Sequence, residues 1–125
     1  MKVTYPAVIH EEQGAYWVSF PDLEGCFSDG STLTEAAENA VDALGGYLCA
    51  LMDAGEHVPE PSPLEKVCAD GAPVVLIVSD PLRYKKNTRA VKKTLTIPEW
   101  LNAEAEKRHV NFSATLQQAL LNLIQ

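Results

Sequence analysis

Apolar and polar positions change period along this chain, and each change marks an element. From Val3 to His10 the positions alternate loosely among β-branched and aromatic residues, which predicts a strand. Pro6 removes one ladder donor, so this strand is expected at a sheet edge or near a bulge. Glu11-Glu12-Gln13-Gly14 reads as a turn, and Ala15 to Phe20 as the second arm of a hairpin. A loop, Pro21 to Gly25, precedes a short strand from Cys26 to Gly30.

The period then becomes helical. Ala37, Ala40, Val41, Leu44, Tyr47, Leu48 and Leu51 share one face, with Glu35, Glu38, Asn39 and Asp42 opposite. Thr32 and Glu35 have capping-box spacing, and Gly55 closes the helix. Gly45-Gly46 lies inside it at a cost of roughly 1 kcal/mol each relative to alanine, which implies close approach to another backbone. His57 to Pro63 is an extended connection. The unbroken run Pro73 to Val78 predicts a buried strand closing the sheet. The order is β-β-β-α-β, with the helix packed on one sheet face.

Residues 83–90 form a basic linker between a domain at 1–82 and another at 91–125. Lys92 to Ile97 alternates again, with Leu95 and Ile97 inward. Pro98 opens a helix that runs to about Arg108. Asn111 is a good N-cap for a second helix carrying Leu116, Leu120, Leu123 and Ile124. A strand and two helices in so short a stretch bury too little surface alone. A homodimer solves this. Two copies of Lys92–Ile97 pair antiparallel, four helices share a core, and Lys92, Thr94 and Thr96 face outward from the ribbon. The DNA major groove admits such a ribbon. Asn111 and Ser113 start a helix whose free N–H groups suit a phosphate.

Charge sharpens the division. The net charge is −7, yet residues 1–82 hold two bases against fourteen acids. Residues 83–125 hold eight bases against three acids. The acidic part suits a basic protein, with Glu11, Glu12, Asp22, Glu24 and Asp29 as the facing acids and Tyr16, Trp17 or Phe27 as possible anchors. The basic part suits nucleic acid, with Arg89 and Lys93 on phosphates beside the ribbon positions.

Other chemistry is weakly signalled. Cys26, Cys49 and Cys68 lack zinc-ligand or disulfide spacing and read as reduced thiols of a cytoplasmic protein. His10, His57 and His109 have no nucleophile or carboxylate companion. Two-metal nuclease chemistry needs clustered carboxylates, and Val3 to His10 has none. No enzymatic activity, cofactor, metal or membrane span is expected.

Two resemblances follow from these residues. Lys92-x-Thr94-Leu95-Thr96-Ile97-Pro98, a helix, then Asn111-x-Ser113-x-x-Leu116-x-x-Ala119-Leu120 resembles the ribbon-helix-helix family of DNA-binding domains. Threonines stand where longer polar side chains are common, so base readout is expected to be weak or to use thymine methyl groups. Phe20-Pro21-Asp22-Leu23-Glu24-Gly25-Cys26, then Gly30-x-Thr32-x-x-Glu35-Ala36, then Gly55-x-x-Val58-Pro59-x-Pro61-Ser62 resembles the HicB antitoxins. Together they imply an α+β chain: a partial RNase H-like domain without nuclease activity, followed by a β-α-α dimerisation domain. They also imply a HicA-like mRNA-cleaving ribonuclease toxin as partner, and repression of the operon encoding both. The competing expectation is a stand-alone ribbon-helix-helix regulator whose first domain senses a ligand or assembles oligomers.

Overall fold

A computed structural model describes residues 1–124. It is a mixed α+β structure in two compact units, Met1–Lys86 and Asn87 onward. Strands β1 (Val3–Glu12), β2 (Ala15–Ser19), β3 (Phe27–Gly30) and β4 (Val74–Ser79) form one antiparallel sheet in the order β3-β2-β1-β4. Helix α1 (Leu33–Asp53) covers one face.

The hairpin is tighter than expected. β1 continues through Glu11 and Glu12, and the turn is Gln13-Gly14 alone, between paired Glu12 and Ala15. Both turn residues have positive φ, 51° and 80°, the backbone that matches the twist of a two-residue hairpin. The first strand therefore ends on two acids, contrary to the expectation that it carries none.

Pro6 is not on an edge strand: β1 is flanked by β2 and β4. The Ile9 N–H donates to Pro73 O, so odd-numbered residues of β1 direct their N–H groups to the β4 side. Pro6 faces the other way, and β2 pairs with β1 only from Val8 onward. Its missing donor thus leaves no ladder bond unmade. The edge strands are instead β3 and β4. The unbroken apolar run of β4 has two different faces: Ile77 and Ser79 are buried, whereas Leu76 and Val78 are about half exposed.

Core residues come from the helix-side positions of each strand and from one stripe of α1. Tyr5, Ala7, Val18, Phe20 and Ile77 meet Ala36, Ala40, Leu44 and Leu48, closed by Leu23 and Cys26. The stripe recurs every four residues and begins at Ala36, one position from the expected Ala37. Cys49 is buried beside it, as the sequence suggests. Thr32 caps α1 by accepting the Glu35 N–H at 3.1 Å. Gly30 lets the end of β3 touch the start of α1: a Cβ there would lie 2.9 Å from Ala36 Cα.

In the second unit, α2 (Glu99–Lys107) follows Pro98, and α3 (Phe112–Ile124) is capped by Asn111, whose Oδ1 accepts the Ala114 N–H at 3.0 Å. Residues 85–98 carry no strand or helix within the single chain. The expected strand Lys92–Ile97 is not formed in the single chain, where among the described residues no neighbouring strand lies beside it to complete a ladder. Leu95, Ile97, Leu101, Leu120, Leu123 and Ile124 are all exposed in the chain. Among the described residues no helix is long and apolar enough to cross a membrane.

Candidate functional site

The five acids expected to face a partner do not form one cluster. Glu11, Glu12, Glu24 and Asp29 are exposed. Strand alternation puts Glu12 and Asp29 on the sheet face away from α1, and Glu11, paired with Tyr16, on the helix side. Glu24 lies in the loop between β2 and β3, where its carbonyl accepts the Tyr47 hydroxyl at 2.8 Å.

Asp22 departs from expectation. Its carboxylate accepts the Ser62 N–H at 2.9 Å and the Ser62 hydroxyl at 2.5 Å. Both oxygens are engaged inside the chain, so Asp22 ties the Phe20–Cys26 loop to the proline-rich connection after α1. The Tyr5 hydroxyl donates to Pro59 O in the same connection. Burial raises the Tyr5 pKa above the usual phenol value, reinforced by Asp22 and Glu60. Spacing alone gave no signal for Ser62, because its partner lies forty residues away.

The first unit also extends past Leu82 into the expected linker. Asp80 caps a short 3-10 turn, Pro81–Tyr84, by accepting the Leu82 N–H. The Tyr84 ring then lies against Gly45, and its hydroxyl donates to Asp42 at 2.6 Å. The Gly45 approach is thus to a side chain and the Ser79 hydroxyl, not to a backbone. Gly46 has open space. Lys85 pairs with Asp53 at the end of α1, which holds the Asp53 pKa below the usual carboxylate range and raises that of Lys85.

This moves the charge boundary. Met1–Lys86 holds five bases and fourteen acids, net −9; Asn87 onward holds five bases and three acids, net +2. The polarity survives, but Lys85 serves the first unit. Of the expected DNA-facing residues, Arg89, Lys92, Lys93, Thr94 and Thr96 are exposed in the segment without regular structure. Asn111 and Ser113 sit at the start of α3, where Ser113 Oγ accepts from Gln117 Nε2 at 3.2 Å.

Cys26 and Cys49 are buried and Cys68 is exposed. Burial pushes the Cys26 thiol up to about 11. Among the described residues no three His, Cys, Asp or Glu side chains converge as metal ligands.

Comparison with known proteins gives a consistent result. The family model described as "HicB_like antitoxin of bacterial toxin-antitoxin system" matches residues 5–120. An uncharacterized 14.9 kDa protein of Haemophilus phage HP1 is 39% identical over 62 residues, which is 50% of this chain and 47% of that protein. Antitoxin HicB 1 of Photorhabdus laumondii is 38% identical over 61 residues, covering 48% of this chain and 39% of the relative. The matched stretch thus spans less than half the length of either relative. A solved chain from a toxin–antitoxin complex of Streptococcus pneumoniae superposes with a TM-score of 0.64 at 27% identity, covering 98% of this chain and 99% of that one.

Proposed function

The chain belongs to the HicB-like antitoxin family of bacterial toxin–antitoxin systems, and from that premise we propose a division of labour between its two units. The first unit neutralises a HicA-like, mRNA-cleaving ribonuclease toxin by direct binding. The second dimerises as a ribbon-helix-helix domain and represses the operon. The observation that carries this reading is the opposed charge of the two units, −9 and +2.

A strongly acidic folded surface attracts a cationic partner and speeds its capture. Glu11, Glu12, Glu24 and Asp29 are exposed to provide that field, and the first unit has its own core. The second unit supports the other half. Its helices leave their apolar residues uncovered within the chain, which suits a dimer whose shared core they would form. Pairing two copies of Lys92–Ile97 would give that segment its ladder and present Lys92, Thr94 and Thr96 twice, with Arg89, Lys93, Asn111 and Ser113 toward phosphates. The first unit's order β-β-β-α-β is compatible with a partial RNase H-like fold.

Gel shifts on the DNA upstream of the chain's own coding region test the second half. The full chain should bind, with affinity falling steeply as salt rises, because each neutralised phosphate releases counterions. Lys92→Ala with Thr94→Ala should abolish the shift. An unchanged shift, or a flat salt response, would refute the ribbon assignment.

A further inference from the structure

The sheet face turned away from α1 is not evenly covered. Strand alternation sets Pro6 and Val8 on it, and both are buried. Toward β2 and β3 the same face opens. Phe27 is 65% exposed and Trp17 is 37% exposed. His10, Trp17 and Asp29 form one cross-strand row, with Phe27 adjacent to Asp29 on the same face of β3. The His10 ring stacks on Trp17 with centroids 3.7 Å apart and planes 15° from parallel. The His10 Nε2 also lies 3.1 Å from Ser19 Oγ, which positions the imidazole that the indole stacks on. Asp29 is exposed and enters no ion pair among the described residues.

We propose that Trp17, Phe27 and Asp29 form the anchor on which the cationic protein partner docks, an arginine or lysine of that partner lying over the rings with its charge toward Asp29. The assignment rests on the toxin-neutralising reading above and names its surface. Oriented aromatic faces attract cations, and a carboxylate at the ring edge adds a charge-assisted hydrogen bond. Large apolar side chains on an edge strand are a liability unless a partner covers them. Charge selects the occupant. The unit carries a net −9, and Glu12 adds to the same face, so a second copy is repelled where a basic protein is drawn in. The other exposed apolar pair, Leu76 and Val78 on β4, has no acid on its own strand segment and serves as the comparison surface.

Calorimetric titration of the full chain with a HicA-family toxin tests this. Phe27→Ala should weaken binding about tenfold or more, and Asp29→Lys further, as expected for anchor residues. Leu76→Ser should bind like the wild type, and all three variants should keep the wild-type circular dichroism. Equal binding by wild type, Phe27→Ala and Asp29→Lys would overturn the surface while leaving neutralisation intact. Loss of binding in Leu76→Ser would place the partner elsewhere on the sheet. A shift in the sedimentation mass of the chain alone on Phe27→Ala would mean that a second copy occupies the face. No binding by the wild type would defeat both the surface and the reading beneath it.

Discussion

Replacing the adjacent glycines of α1 by alanine should move stability in opposite directions. Alanine in a helix interior is favoured over glycine by about 1 kcal/mol. At Gly46 a Cβ meets nothing within 4 Å, so Gly46→Ala should keep most of that gain. At Gly45 the same atom would sit 2.6 Å from Tyr84 Cδ2 and 2.7 Å from Ser79 Oγ. These are impossible contacts, and the Ser79 hydroxyl is not free to yield, because it donates to Val41 O at 2.8 Å. Relief requires the Tyr84 ring to swing out, which breaks its bond to Asp42. Overpacking of this kind costs about 1–3 kcal/mol, and the exposed hydroxyl–carboxylate bond adds about 1 kcal/mol. After the helix gain is subtracted, Gly45→Ala should destabilise by about 1–3 kcal/mol. Urea denaturation reads this directly if Trp100 is replaced by Phe, so that Trp17 reports the first unit alone. In a Tyr84→Ala background the penalty at Gly45 should shrink to the part set by Ser79 Oγ, since removing the ring relieves only one of the two contacts. If Gly45→Ala proved as stabilising as Gly46→Ala, the account of Tyr84 as a side chain seated on the helix would be refuted.

Four further outcomes follow from the same structure. Asp22→Ala should cost about 2 kcal/mol in the same urea assay, because two bonds to a carboxylate are lost; a cost below about 0.5 kcal/mol would show that the Ser62 tie is not holding the connection. Gln13→Asn should stabilise by about 0.5 kcal/mol, since Asn tolerates the left-handed backbone better than Gln, and a loss instead would argue against the two-residue turn. Native protein should expose one fast-reacting thiol, Cys68, to a disulfide reagent, with Cys26 and Cys49 appearing only on unfolding. The Cys26 pKa is raised to about 11, so the folded state holds its proton longer than the unfolded one, and stability should fall as pH climbs from about 9 toward 11. A flat alkaline stability profile would contradict that burial.

What the sequence disclosed was local. The hairpin, the Thr32 and Asn111 caps, the Pro98 start of α2 and the β-β-β-α-β order rest on turn chemistry, capping and hydrophobic period, which act over a few residues. What it hid was long-range. Nothing in Val3–His10 says that this strand is flanked on both sides, and Pro6 by itself points to an edge or a bulge; its missing donor in fact faces the β2 side at a position that β2 does not reach. The run Pro73–Val78 shows no alternation because Val74, Leu76 and Val78 are apolar on the outward face too, which disguised an edge strand as a buried one. Formal charge sums could not see that Lys85 is paired with Asp53, nor that Asp22 is engaged by Ser62. Of the site, Trp17, Phe27 and Asp29 were each visible, but their meeting on one face depends on the β1–β2–β3 register.

The central claim is that the acidic first unit suffices against the toxin. It is tested most directly by growth of cells expressing the cognate ribonuclease together with residues 1–86 alone. Growth should be restored to the level given by the full chain, and residues 87–125 alone should give none. Rescue by the second unit and not the first would contradict the account.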